Sequence, residues 1–166
     1  GKGGLLIADI QDQRVRRLNL TTGIITTFAG DGEKRREGAG KPATEASIMG
    51  PRAVCVDSQG NTYIAEREGN GVRKVDANGM MSTFAGTGER GYSGDGGPAL
   101  TALWGAPKAI RCDHQDNILV VDTENHAIRR IDATTGIVTT IAGGRVGGAV
   151  PGHEPPRAPP RGRGRG

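Results

Sequence analysis

The chain has 166 residues, of which 34% are hydrophobic, 3% are aromatic and 29 are glycine, a composition that suits short strands joined by many turns. No apolar run approaches the roughly 20 residues that a membrane-spanning helix needs, so we predict no such helix. The formal net charge of +4 comes from residues 144–166, which hold five arginines and one glutamate. Residues 1–143 are therefore formally neutral and give no general reason to expect nucleic-acid binding.

One block of sequence occurs three times, at offsets of 56 or 57 residues. Each copy contains hydrophobic runs of about five residues between turn residues, which is the pattern of hairpin strands. A repeat of this length with several strands per unit is typical of propeller blades. We therefore predict an all-β fold, a partial β-propeller of four-stranded antiparallel blades. The predicted strands are 5–10, 14–19, 24–29, 53–57, 61–66, 72–76, 80–85, 108–113, 117–122, 127–132 and 137–142.

The first predicted blade has no inner strand before it. The chain thus holds about two and three-quarter blades: a partial blade at 4–30 and complete blades at 51–86 and 107–143. The repeats together form one predicted domain, 1–143. An incomplete ring leaves a blade face uncovered at each end, and we expect these faces to carry Ile7, Leu18, Val120 and Ile131 or their neighbours on the opposite side. We expect such faces to cause self-association.

One turn of each blade sets the predicted hairpin register: the turn between strands 5–10 and 14–19 in the partial blade, and the turn between the second and third strands in the two complete blades. If this turn is a two-residue loop, a carboxylate on one strand lies directly opposite an arginine on the next. The predicted pairs are Asp9 with Arg16, Glu66 with Arg73, and Asp122 with Arg129. An acid with a base in register is typical of a structural cross-strand pair, so we prefer this role to a catalytic one for the three carboxylates.

Two long glycine-rich connectors, 30–50 and 86–106, repeat the same chemistry. Pro42 and Pro98 each predict a short helical turn. Loops of this length are often functional, so two interpretations are open: a structural role at the rim of the ring, which the repetition favours, and contact with a partner. The candidate partner-binding residues are Arg35, Arg36, Arg90, Tyr92 and Asp95.

The glycine spacing in these connectors does not predict a nucleotide site, because no βαβ unit surrounds it. Asp95 alone supplies too few oxygen ligands for calcium. His126 lies in a turn with no second His or Cys near it in sequence, which indicates a turn residue rather than a metal ligand. We predict no cofactor.

Cys55 and Cys112 lie on equivalent inner strands, one position apart in register. Alternation of side chains along a strand sends them to opposite faces of their blades. We therefore expect no intramolecular disulfide between them, and we expect small, buried hydrophobic side chains in preference to reactive or metal-binding thiols.

Residues 144–166 are rich first in proline and then in arginine and glycine, which predicts a disordered tail. Two interpretations are open: a linker or non-native end, and a segment that contacts RNA through charge and stacking. The arginines that would contact a polyanion are Arg157, Arg161, Arg163 and Arg165.

Over residues 4–143 the sequence resembles the NHL-repeat family of β-propellers. The turn that names that family is matched by Asn125-His126-Ala127, with Ala127 in place of leucine, and the other two copies depart from it. The stretches 51–57 and 107–113 loosely match the family's inner strand. This resemblance implies a non-catalytic scaffold that binds a protein partner, and some propellers of this type bind RNA.

The alternative function is enzymatic. The chain would then be a fragment of a six-bladed propeller resembling gluconolactonases or amidating lyases, which hold a metal on the central axis. The two inner strands offer no His or Glu, so such a site would have to lie in further blades. We therefore predict no catalytic, cofactor-binding or metal-binding residue within this chain. The polar side chains that these strands do offer are Arg52, Asp57, Lys108, Arg111 and Asp113.

Overall fold

The computed structural model describes residues 3–144. Within this range eleven strands form three antiparallel sheets, and each strand lies within two residues of its predicted bounds. The strands are β1 (Gly4–Asp9), β2 (Arg14–Asn19), β3 (Ile25–Ala29), β4 (Pro51–Val56), β5 (Thr62–Glu66), β6 (Gly71–Val75), β7 (Met81–Ala85), β8 (Ala109–Cys112), β9 (Ile118–Asp122), β10 (Ala127–Ile131) and β11 (Val138–Gly143).

Each sheet is a meander in which consecutive strands are neighbours. The second sheet is β4-β5-β6-β7 and the third is β8-β9-β10-β11, whereas the first has only β1-β2-β3 and lacks the counterpart of β4 and β8. The predicted all-β fold of propeller-type blades, the first of them partial, is confirmed. We refer to the three sheets as the first, second and third blades.

The hydrophobic core lies between blades. One cluster joins the first and second blades around Val15 and Ile64, and another joins the second and third around Val72 and Val120. Each cluster also includes apolar residues of the intervening connector. These connector residues are Ala43, Ala46 and Ile48 in the first cluster, and Ala99, Ala102 and Trp104 in the second. Stacking neighbouring blades on a shared connector therefore buries faces that a single small sheet would leave exposed.

The two connectors take the same path. Short 3₁₀ turns, Ala43–Glu45 and Ala99–Thr101, follow the two prolines at the predicted positions. Backbone hydrogen bonds then fix each connector to the outer hairpin of the next blade, since the Ala43 N–H donates to the Gly79 carbonyl at 2.8 Å and the Ala99 N–H donates to the Gly136 carbonyl at 2.9 Å. The connectors are packed parts of the fold and not free loops.

The predicted hairpin register is wrong by two residues in all three blades. Asp9 lies opposite Arg14, Glu66 opposite Gly71 and Asp122 opposite Ala127. Four residues, not two, separate the paired strands, and each loop ends in a left-handed residue. These residues are Gln13, Asn70 and His126, with φ of 51°, 47° and 51°. The register is shifted by two residues, and side chains two positions apart on a strand share one face of the sheet. Each predicted acid and base therefore stay on the same face, placed diagonally to each other.

The opposite faces predicted for Cys55 and Cys112 do not keep the two free thiols apart, because their Sγ atoms lie 2.8 Å from each other. The register does send the two side chains to opposite faces of their own blades: Val56 and Cys112 occupy equivalent positions opposite Thr62 and Ile118. Blades that stack side by side, however, bring opposite faces together. The two thiols meet across the interface between the second and third blades.

Across residues 3–144 no helix is both long and apolar enough to cross a membrane. The predicted tail, with Arg157, Arg161, Arg163 and Arg165, lies outside the described residues.

Candidate partner-binding face

A buried acid and a buried arginine hold the third blade to its connector. Asp122 ends β9, and its Oδ2 lies 3.4 Å from Nη1 of Arg129 on β10. The Asp122 Oδ1 accepts the backbone N–H of Gly105 at 2.7 Å. Arg129 donates to the carbonyl oxygens of Leu103 and Ser93 at 2.8 and 2.7 Å. We call this arrangement, a strand-end carboxylate and an arginine both bonded to connector backbone, the blade clamp.

The second blade repeats the clamp 56 residues earlier in the chain. Glu66 accepts the backbone N–H of Met49 at 2.9 Å and lies 3.9 Å from Arg73. Arg73 donates to the carbonyl oxygens of Ser47 and Glu37 at 3.2 and 3.1 Å. Charged hydrogen-bond donors thus satisfy connector carbonyls that would otherwise be buried without partners.

A third charge from the connector completes each clamp, with opposite sign in the two blades. Arg36 donates from Nε to Glu66 Oε2 at 2.6 Å, giving two arginines around one carboxylate. Asp95 accepts from Arg129 at 3.0 Å, giving two carboxylates around one arginine. Burial raises the pKa of Glu66 and Asp122, which the neighbouring guanidinium groups oppose, and burial lowers the pKa of Arg73. Paired charges are what make the burial of these groups tolerable.

The first blade has a different arrangement. Asp9 accepts the backbone N–H groups of Gln11 and Asp12, each at 3.2 Å, and so caps its own turn. Arg16 lies opposite Ile7 on the neighbouring strand, and its buried Nε has no hydrogen-bond partner among residues 3–144.

Aromatic side chains cover the Arg129 guanidinium. Its Cζ lies 4.3 Å from the centroid of the fully buried Trp104 ring and 5.3 Å from that of Tyr92. The Tyr92 hydroxyl is 2.9 Å from the Thr140 hydroxyl on the outer strand. Cation–π contacts of this kind add to the ion pairs.

The structure therefore separates the five candidate connector residues into two groups. Arg36, Tyr92 and Asp95 make the intrachain contacts described above. Arg35 and Arg90 are exposed, and Arg90 contacts Glu124 at the surface. Asp95 is exposed as well, although its carboxylate is paired with Arg129. Partner contact by any of the five stays a prediction.

Arg35 and Arg90 lie at the end of the sheets that carries the β5–β6 and β9–β10 turns. A shallow groove there runs between the second and third blades. Its rim is charged with both signs, and Lys34 adds a further base through its 2.9 Å contact with Glu68. We call this surface the turn face. The residues that line its groove are Arg67, Glu68, Asn70, Arg90, Ala106 and Glu124.

Sequence reasoning missed Arg67, Glu68 and Glu124 as candidates. A usable signal was present, because antiparallel pairing puts the second turn of every blade at the same end as the connectors. The left-handed turn residues also tie blades together there. The Gln13 side chain accepts the Gly50 N–H at 2.7 Å, and the Asn70 side chain accepts the Ala106 N–H at 3.1 Å.

Among residues 3–144, no group of three or more His, Cys, Asp or Glu side chains is arranged to hold a metal ion. Each buried clamp carboxylate has an arginine and a backbone N–H as partners. The chemistry on the turn face is that of exposed charges around a groove.

Stacked four-stranded meanders, joined by connectors that repeat the same contacts, define a repeat protein of the β-propeller class. A family model described as the teneurin NHL domain matches residues 7–92, just over half of the chain. The chain belongs to this NHL-repeat family.

Curated relatives and solved structures agree with this assignment. Teneurin-3 of Danio rerio is 35% identical over 97 residues, which cover 51% of this chain and 4% of that protein. A structural-genomics protein of unknown function from Bacteroides thetaiotaomicron superposes with a TM-score of 0.66 at 23% identity, covering 76% of this chain and 32% of that one. A gluconolactonase from Xanthomonas campestris does so with a TM-score of 0.57 at 14% identity, covering 84% and 43%. Both structural likenesses concern the fold, and the chain spans a small part of its curated relative's length.

Proposed function

We propose that this chain is a non-catalytic binding scaffold of the NHL-propeller type that binds a protein partner through the turn face. The observation that carries the proposal is the division of charge in the second and third blades. The four clamp charges on the strands are buried and paired with each other, whereas Arg67 and Arg90 are exposed beside one groove. Membership of the NHL-repeat family supports a binding role.

A mixed-sign rim suits a protein partner better than a polyanion. Lys34, Arg67 and Arg90 stand near Glu68 and Glu124, so the groove offers complementary contacts to both charges of a folded surface. Complementary rim charges steer association and fix orientation, while a nucleic acid selects a continuous basic surface. RNA binding through the tail arginines is a separate proposal that concerns residues 145–166.

The enzymatic alternative draws support from the fold alone. The gluconolactonase whose structure superposes on this chain is only 14% identical to it, so no catalytic residue can be transferred from that enzyme. A metal-dependent activity would rest on blades that this sequence does not contain, so it is the weaker proposal for this chain.

The test uses charge reversal with a matched control. Partners are first captured by crosslinking to the full chain and identified by mass spectrometry. The affinity of the purified partner is then measured for the wild type, for Arg67→Glu with Arg90→Glu, and for Arg17→Glu with Lys41→Glu. The control pair is exposed, carries the same charge change and lies away from the turn face. The first variant should weaken binding at least about tenfold, or about 1.4 kcal/mol, and the control should bind within a factor of about two. Equal affinities for all three proteins would contradict the proposal.

A further inference from the structure

Two reduced thiols from different blades meet beside the core between the second and third blades. Cys55 lies on β4 and Cys112 on β8, with a distance of 2.8 Å between the two Sγ atoms. Both side chains are partly exposed, so a small oxidant can reach them. The chain contains no other cysteine.

Regular structure on both sides holds this pair in place. Cys55 is fixed by its strand pairing opposite Tyr63, and Cys112 by its pairing opposite Ile118. Just beyond the strands, the backbone N–H of Ser58 donates to Asp116 Oδ1 at 2.9 Å and links the adjacent inner turns of the two blades. The approach of the thiols is therefore a property of how the blades stack and not of a flexible loop.

We propose that Cys55 and Cys112 are a site of reversible oxidation, forming a disulfide that joins the inner strands of the second and third blades. This inference is independent of the turn face and of any partner. A metal-binding role for the pair would need further ligands, and no third His, Cys, Asp or Glu among residues 3–144 completes such a group.

The proposed reaction is thiol–disulfide exchange with a low-molecular-weight disulfide, for which oxidised glutathione is the probe. The thiolate of one cysteine attacks one glutathione sulfur, the S–S bond breaks, and one glutathione thiolate leaves. The thiolate of the other cysteine then attacks the protein sulfur of this mixed disulfide and expels the second glutathione thiolate. The two protons of the protein thiols end on the two glutathione molecules, and the two electrons reduce the glutathione disulfide.

The two thiols share one hydrogen bond, and either Sγ atom can donate it. Both side chains are partly exposed. Either cysteine can therefore attack first, and the other then acts as the resolving thiol.

Oxidation should also stabilise the stacked blades. The cross-link would close a long loop, since the two cysteines are 57 residues apart in sequence. Cross-linking a loop of this size restricts the unfolded chain, and the expected rise in Tm is on the order of 10 °C.

The experiment equilibrates the full chain in mixtures of reduced and oxidised glutathione, quenches it with acid, and measures free thiols and intact mass. The wild type should lose both thiols together and two hydrogen atoms of mass, with no glutathione attached and no dimer. Proteolysis without reductant should then release one peptide pair linked through Cys55 and Cys112. Mixed disulfides that persist on the wild type, intermolecular dimers, or two thiols that remain free under strongly oxidising conditions would each overturn the proposal.

Two single variants test the mixed-disulfide intermediate, and the wild-type mass measurement stands without them if either fails to fold. Cys55→Ser should accumulate a glutathione adduct on Cys112, because the resolving thiol is gone. Cys112→Ser should accumulate the corresponding adduct on Cys55. Adducts that are absent from both variants would overturn the proposed exchange. In the variant that combines Cys55→Ser with Cys112→Ser, the Tm should be the same under reducing and oxidising conditions. A remaining difference in Tm would show that the stabilisation does not come from this disulfide.

Discussion

Replacing Arg129 with alanine removes the centre of the clamp in the third blade. The truncation leaves Asp122 buried without its arginine and leaves the carbonyl oxygens of Leu103 and Ser93 without donors. Breaking a buried ion pair by removing one partner costs about 3–5 kcal/mol. The lost hydrogen bonds and the cation–π contact with Trp104 are part of the same truncation and are not added to that figure.

The neighbouring residue provides the control. Arg130→Ala changes the same residue type on the same strand. The ion pair of Arg130 with Asp132, at 3.3 Å, is about one-third exposed on each side, whereas the pair of Arg129 with Asp122 is fully buried. A surface pair of this kind contributes about 0–1 kcal/mol. Arg129→Lys should fall between the two alanine variants, because lysine keeps the charge and loses the planar fork of donors.

Urea unfolding followed by tryptophan fluorescence measures the difference. Trp104 is the single tryptophan and lies buried against Arg129, so its emission reports on the clamp itself. With a urea dependence of about 2 kcal/mol per molar, Arg129→Ala should lower the midpoint by about 1.5–2.5 M and Arg130→Ala by about 0.5 M or less. Midpoints that fall equally in the two variants would refute the clamp as a principal support of the blade.

Three further predictions follow from the fold and its charges. Deleting residues 144–166 should leave the Tm of the remainder unchanged within error and should weaken binding to a polyanion such as single-stranded RNA. Unfolding of the truncated chain would contradict the predicted boundary. Residues 1–143 expressed alone should self-associate with rising concentration, because apolar side chains are exposed at both ends of the stack. These side chains are Leu5 and Ile25 on the first blade and Ile128 and Ile141 on the third. Sedimentation as a stable monomer at high concentration would contradict this prediction. Burial alone would raise the pKa of Asp57, but hydrogen bonds, chiefly from Asn61, lower it below its ordinary 3.8. The stabilising effect of the ionised Asp57 is therefore complete above pH 3.8 and is lost as the pH falls through the lower folded pKa. The difference in stability between the wild type and Asp57→Asn should thus shrink from pH about 5 to pH about 2. A difference that grows over this range would contradict the assigned direction of the pKa shift.

Local pattern was enough to predict the strands. Alternating hydrophobic runs between turn residues fixed all eleven to within two residues, and Pro42 and Pro98 marked the short helical turns. The hairpin register was not predictable from the same pattern, because a two-residue and a four-residue loop leave the same side chains on the same face. Only the left-handed Gln13, Asn70 and His126 show which loop is present.

The site depends on contacts between blades, which a single repeat does not reveal. Arg36 reaches Glu66 from 30 positions away in the sequence, and Asp95 reaches Arg129 from 34. Side-chain alternation places Cys55 and Cys112 on the correct faces of their own blades, but it does not show that these two faces meet in the stack. Side-chain periodicity defines which face a residue occupies, whereas the stacking of blades decides which faces meet.

The most direct test of the central claim, that the turn face binds a protein partner, is hydrogen–deuterium exchange of the full chain with and without its purified partner. We predict slower exchange at 67–70 and 123–126, which form the second turns of the second and third blades, and at the exposed connector around Arg90. The turns at the opposite end of the same blades, 58–60 and 77–79, should exchange at unchanged rates. Protection confined to that opposite end, or to residues 145–166, would contradict the account.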